Sequence, residues 1–275
     1  MQHRYSLAHL TAMALPPVDL IEVAARTGYD YVGLRLSRVT PQEPLYALIS
    51  SRSAMKATKD KLAATGIKVW DIELARMNPS LDAQHFFPML DATAELGAHH
   101  VICQLPDPDR ERAHERFATL CDYAKPLDIK VSLEFPWWTE TGDLETASAA
   151  LNAVKRPNAG ILIDMLHFYR SRSSLDALRK LPREWFQFAH VCDGRAAQPA
   201  NMANILHEAR SDRMFPGQGD FGVRDILDCL PLDITYALEI PGDDLTAEIG
   251  FEEYARRALQ SAKCHLDSVP ALQAA

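Results

Sequence analysis

What most constrains this chain is an alternation running along its length, in which short apolar runs of strand character each give way to a stretch with helical spacing. Strand-like runs fall at Tyr5–Leu10, Tyr29–Leu36, Ile67–Leu74, His99–Leu105, Ile129–Phe135, Gly160–Asp164, Trp185–Cys192 and Ile234–Ile240, eight in all. Helix-period stretches lie between them, clearest at Pro44–Thr65, Gln84–Leu96, Asp109–Lys125, Leu144–Val154 and Gly250–Lys263. The first unit shows the punctuation well. Pro17 opens an amphipathic segment where a missing N–H is harmless, and Gly28 closes it where a left-handed cap is needed. Runs such as Val101-Ile102-Cys103 and Ile161-Leu162-Ile163 are apolar at every position, the pattern of strands covered on both faces of a parallel sheet. At 275 residues the chain suits an α/β fold of the (β/α)8 TIM-barrel type, which closes at about 250 residues. A doubly wound sheet fits less well, because no G-x-G-x-x-G follows the first strand. The reading is one TIM-barrel domain over residues 1–275, with a loose C-terminal tail from about 267 to 275. The longest connection without strong periodicity, Gly194–Gly222, is expected to be an active-site loop rather than a linker.

Composition narrows the function. With 47% hydrophobic and 24% charged residues the chain is an ordinary globular one. Its net charge of -8 opposes binding to a phosphate backbone, so no nucleic-acid partner is expected. Five cysteines without a C-x-x-C pair signal neither a disulfide framework nor a cysteine zinc site. The N-terminal apolar stretch is too short and polar for an export signal, and no run of about 18 apolar residues occurs. These features lead us to expect a cytoplasmic protein with no membrane partner.

In a TIM barrel the chemistry sits at the C-terminal ends of the strands. The last four predicted strands end in Glu134, Asp164, His190 and Glu239, each after an apolar run. An ionised carboxylate there needs a compensating cation. One such strand end is as readily a helix N-cap or a surface ion pair, but four in series point to a shared metal site. Three carboxylates and an imidazole suit one divalent ion, Mn2+ first, with Mg2+, Co2+ or Zn2+ also compatible. Arg35 and Arg76 end predicted strands two and three, Arg170 follows His167 and Arg195 follows the His190 strand. A guanidinium fork binds carboxylate or phosphate, so an anionic substrate is one option and pairing with surface acids is the other. Trp137 and Trp138 follow Glu134, where an indole face shields the apolar side of a sugar ring or simply packs.

The segments Ser132-Leu133-Glu134, Ile163-Asp164-Met165-Leu166-His167, Ala189-His190-Val191-Cys192-Asp193, Pro216-Gly217-Gln218-Gly219-Asp220 and Leu238-Glu239-Ile240 resemble the xylose isomerase-like TIM barrels of the AP endonuclease family 2 superfamily. That family includes sugar and sugar-phosphate isomerases and epimerases, inosose and dehydroshikimate dehydratases, and endonuclease IV. The resemblance covers nearly the whole chain. It implies that Glu134, Asp164, His190 and Glu239 hold the metal, and that Glu134 and Glu239 also serve as acid and base beside a metal-stabilised enediolate. It further implies substrate contacts at His167, Glu140 and Arg195, joined by Trp137 from the residue pattern. The two glycines of Pro216–Asp220 either approach a ligand or form a tight turn.

The preferred function is a divalent-metal-dependent isomerase or epimerase of a sugar or sugar phosphate, with a small carbohydrate or polyhydroxy keto acid as the expected substrate partner. A dehydratase of the inosose or 3-dehydroshikimate type is the alternative, with His167 as the acid for the departing hydroxyl. An endonuclease ranks third, since it needs more histidines at strand ends; His9 ends strand one, but strands two to four end in Arg35, Arg76 and Gln104. Homo-oligomerisation stays open.

Overall fold

The computed structural model describes residues 3–267. Eight parallel strands close into a barrel in chain order: β1 (Tyr5–Leu7), β2 (Tyr31–Arg35), β3 (Lys68–Arg76), β4 (His100–Gln104), β5 (Lys130–Glu134), β6 (Ala159–Asp164), β7 (Phe186–Val191) and β8 (Thr235–Leu238), with β8 pairing back to β1. The principal outer helices are α1 (Pro17–Thr27), α2 (Arg52–Thr65), α3 (Phe87–Glu95), α4 (Arg110–Ala124) and α5 (Leu144–Val154). They are followed by α6 (Met165–Arg170), α7 (Leu175–Leu178), α8 (Met202–Ser211), α9 (Val223–Leu227), α10 (Asp243–Ile249) and α11 (Phe251–Ala262). The expected (β/α)8 TIM barrel is the fold. Among the described residues no helix is long and apolar enough to cross a membrane.

Strand periodicity sorts the core into two bodies. Val101 and Cys103 pack outward in the large cluster shared with the helices, whereas Ile102 between them joins Leu74, Leu162, Phe188 and Ala237 inside the barrel. Side chains two residues further along the inward face therefore emerge at the mouth: Gln104 from β4, Asp164 from β6, His190 from β7 and Glu239 just beyond β8. The register keeps them level, with Gln104 beside Glu134 and Asp164 beside His190.

Element boundaries differ from the sequence reading where local chemistry intervenes. The helix expected from Pro44 begins only at Arg52, because Ser51 caps it by accepting a hydrogen bond from the backbone N–H of Ala54 at 3.2 Å. Residues before the cap arch over the barrel mouth instead, pinned where Glu43 accepts from Val39 N–H at 2.9 Å. The helix expected from Gln84 starts with a 3-10 turn, and Pro88 takes the first turn of α3. The Gly194–Gly222 connection is not structureless. It contains α8, whose N-terminus is capped by the Asn201 side chain accepting from Asn204 N–H at 3.0 Å. Of the expected tail, Asp267 is held by Tyr5 Oη, which donates to its carboxylate at 3.0 Å; residues 268–275 lie outside the described residues.

Candidate metal centre and cavity

Glu134 is the last residue of β5 and Asp164 the last of β6, while His190 lies in β7 and Glu239 follows β8 directly. The structure brings these four buried side chains together, with one ligand atom from each lying within 4.8 Å of the others. Nδ1 of His190 stands 3.2 Å from Glu239 Oε2, 3.4 Å from Glu134 Oε1 and 3.7 Å from Asp164 Oδ2. Neither nitrogen of the buried imidazole makes a well-formed hydrogen bond, so the four groups converge on a shared point rather than on one another.

Two further side chains hold this arrangement. Arg213 reaches in from beyond α8, its Nη1 lying 2.8 Å from Asp164 Oδ2 and 2.9 Å from Glu239 Oε2. On the other side Gln104 Nε2 donates to Glu134 Oε2 at 2.5 Å, and Gln104 Oε1 accepts from Arg76 Nη1 at 2.6 Å. The electrostatics follow. Burial disfavours charge on Asp164, but Arg213, His167 and His190 together outweigh it and hold the carboxyl well below its ordinary range. Burial likewise opposes ionisation of Glu134, yet the neighbouring His190 and His167 bring it below its usual value. His190 is pushed the other way: burial would depress it, but Glu239, Asp164 and Glu134 hold it well above its ordinary value.

The donor set fits a divalent cation. Three buried carboxylates face one permanent cation, Arg213, which leaves two negative charges for an ion to neutralise. Two ligands on one ion can stand no more than about 4.2 Å apart at the usual bond lengths, so a small contraction of the cluster closes around it. His167, the residue after Leu166 in α6, joins the same cavity. Its backbone N–H donates to Asp164 Oδ1 at 3.0 Å, its ring meets Trp138 edge-on with centroids 5.1 Å apart, and its Nδ1 has no hydrogen-bond partner. Burial holds its imidazole below the ordinary value.

Three residues expected at the substrate stand elsewhere. Arg195 points to solvent and pairs with Asp212 at 2.7 Å, because the chain turns outward after β7 before α8 begins. Glu140 is exposed in the turns after β5 and is absent from the cavity lining. Trp137 packs against the outer core, and it is Trp138 that lines the cavity. Arg170 is buried against Glu208 and stacks over Tyr169 and Phe221, so it fastens α8 to the barrel. The Pro216–Asp220 glycines form a turn: Asp193 accepts from Gly217 and Phe221 N–H at 3.0 Å each, and a Cβ on Gly219 would lie 2.4 Å from the Gly194 carbonyl oxygen. His9 has no nitrogen to offer a metal, since Nδ1 accepts from Arg35 N–H at 2.8 Å and Nε2 bonds to the Leu15 carbonyl at 3.0 Å.

The sequence reading missed an acidic pair beneath the cluster. Asp71 and Glu73 lie on the inward face of β3 and form a second group with His190. Arg35 neutralises Glu73, with Nε at 2.7 Å from Oε2, whereas neither oxygen of the fully buried Asp71 has a partner. Burial, reinforced by Glu73, pushes the Asp71 carboxyl up to about 8. The signal was present as two acids at strand spacing, Asp71-Ile72-Glu73.

The cluster lies at the C-terminal mouth of the parallel barrel, the face at which TIM-barrel enzymes carry their active sites. Residues 21–263 match the xylose isomerase-like TIM barrel family model, and the chain belongs to that family. It is similar to the inosose isomerase of Bacillus velezensis, 23% identical over 211 residues that span 72% of this chain and 73% of the relative. In structure it resembles the IOLI protein with a bound zinc atom, with a TM-score of 0.80 and 19% identity over 98% of this chain and all of the other. It also resembles the probable 3-DHS dehydratase AsbF from Bacillus anthracis, with a TM-score of 0.72 and 17% identity over 94% and 98% of the two chains.

Proposed function

We propose that this protein is a divalent-metal-dependent isomerase or epimerase of a sugar or related polyhydroxy carbonyl compound. The observation that carries the reading is the convergence of Glu134 and Glu239 on the His190 Nδ1 position, at 3.4 and 3.2 Å. The named activities of the inosose isomerase relative agree with it. Glu134, Asp164, His190 and Glu239 would hold the ion; the donors favour Mn2+, and the zinc in the IOLI structure supports a divalent ion of some kind. When bound, the ion supplies Lewis-acid polarisation of a carbonyl and its neighbouring hydroxyl, which stabilises the charge left when a proton departs from the adjacent carbon.

The chain's own residues then divide the work. Gln104 fixes Glu134 and Arg213 fixes Glu239, so each carboxylate is aimed by one donor. Glu134 ends β5, Glu239 follows β8 and both line the cavity, so one would remove a proton and the other return it. Trp138 and His167 form an adjoining wall that orients the substrate. His167 also bears on the dehydratase reading. Expelling a hydroxyl needs a protonated donor, and burial keeps this imidazole neutral, a tendency that a nearby dication strengthens.

The test is incubation of the Mn2+-loaded protein in D2O with a panel of ketoses, sugar phosphates, inososes and 3-dehydroshikimate. Deuterium appearing beside the carbonyl of a recovered isomer supports the proposal. Loss of water with a new conjugated-enone absorbance selects the lyase, and exchange that survives exhaustive chelation overturns metal dependence.

A further inference from the structure

Most of the arginines buried around the barrel mouth have carboxylate partners. Arg35 pairs with Glu73 and Glu43, Arg213 with Asp164 and Glu239, and Arg170 with Glu208. Two that line the same cavity break the pattern. Arg76, at the end of β3, makes its side-chain hydrogen bond to the neutral Gln104 amide, and Arg210, in the last turn of α8, makes none; neither forms an ion pair among the described residues. Both are half-buried. Burial lowers each guanidinium's affinity for its proton, and for Arg76 the charge of Arg210 lowers it further. The two cations therefore repel; Glu43 and Glu134 offset this in part, but Glu43 is engaged by Arg35 and Glu134 by Gln104, so neither carboxylate pairs directly with Arg76 or Arg210.

An unpaired, partly desolvated charge is costly, and two facing one another are more so. The arrangement becomes favourable when a ligand brings the missing negative charge, since a guanidinium fork matches carboxylate and phosphate oxygens bidentately. We infer that Arg76 and Arg210 clamp an anionic group, a carboxylate or a phosphate monoester, carried by the substrate whose carbonyl end sits at the Glu134–Glu239 cluster. This rests on the function proposed above and narrows it to keto acids or sugar phosphates rather than neutral ketoses or cyclitols. Arg76 also reaches Glu134 through Gln104, by hydrogen bonds of 2.6 and 2.5 Å. Binding an anion thus fixes the side chain that fixes the proton-transferring carboxylate.

The clamp is tested without knowing the substrate, by calorimetric titration of the metal-loaded protein with inorganic phosphate and, separately, with malonate. Wild type should bind at least one of them, and Arg210→Gln and Arg76→Gln should each weaken that binding at least tenfold. Metal content of Arg210→Gln should match wild type and its thermal midpoint should be no lower, which separates loss of the clamp from loss of the fold. Stronger phosphate binding assigns a phosphate monoester, and stronger malonate binding a carboxylate. No binding to wild type, or equal binding to wild type and both variants, overturns the clamp. Arginine-dependent anion binding without deuterium exchange on any carbonyl compound would overturn the isomerase reading and leave the clamp standing.

Discussion

Nη1 of Arg213 lies 2.8 Å from Oδ2 of Asp164, joining a residue beyond α8 to the end of β6 across 49 positions of sequence. The same guanidinium touches Glu239 at 2.9 Å. Arg213 thus supplies part of the positive charge that a metal ion would complete. Replacing it with Met should leave buried carboxylates unpaired and destabilise the metal-free protein by about 3–5 kcal/mol. Added Mn2+ should raise the variant's thermal midpoint by more than it raises that of wild type. Equal shifts in the two proteins would show that Arg213 and the ion do not share the charge.

Removing ligands should separate the cluster from its surroundings. Glu134→Gln, Asp164→Asn, His190→Gln and Glu239→Gln are each expected to lower bound metal, measured by atomic emission after dialysis, and to abolish turnover. Arg195→Ala should change neither, because that side chain faces solvent and pairs with Asp212. Full metal content in any two of the ligand variants would dismiss the assigned set.

Metal uptake should release a proton. In the metal-free protein the surrounding carboxylates hold His190 protonated well above its ordinary value, yet a metal ligand must be neutral. Affinity should therefore rise about tenfold per pH unit until the free imidazole loses its proton, and level off above that point. Titration calorimetry in buffers of different ionisation enthalpy reads the released proton directly; a buffer-independent heat would contradict this.

Asp71 predicts a stability effect of known sign. Its carboxyl, raised from 3.8 to about 8, keeps its proton in the fold while the unfolded chain gives it up. The native state then binds more protons between these values, so this residue's contribution to stability is present below about pH 4 and is lost as pH rises towards 8. Asp71→Asn should abolish that loss, and the metal-free variant should exceed wild type in thermal midpoint by a margin that grows with pH. A margin independent of pH would place the carboxyl elsewhere than in its unpaired, buried position.

The cavity wall offers a further contrast. Trp138→Ala should raise KM several-fold with a smaller change in kcat, since the ring lines the cavity and braces His167 at 5.1 Å. Trp137→Ala should act mainly on stability, by about 3–5 kcal/mol at most, because its ring packs on the outer core. Reversal of the two effects would restore the sequence-based preference for Trp137.

The strands and their acidic tips were legible because each is a local pattern: an apolar run, then one polar residue at the position the barrel exposes. Glu134, Asp164, His190 and Glu239 could be read this way without any knowledge of long-range contact. Asp71 and Glu73 carry the same local signature, but they sit within β3 rather than after an unbroken apolar run. Arg213 and Arg210 were out of reach for a different reason. Their roles depend on how the segment after β7 folds back, and α8, which buries only Ala209, carries no local signal of where its basic C-terminal end is placed. Arg195 is expected at the substrate from the family resemblance, and the outward turn after β7 carries its side chain to Asp212 instead.

The ligand-bearing side chains grow from the barrel wall, whereas Arg210 and Arg213 ride together on the excursion between β7 and β8. Any drift in that excursion towards a new diet must still leave a guanidinium over Asp164. One short stretch of chain thus answers to two masters, and its freedom to diversify is bounded by the very centre it serves.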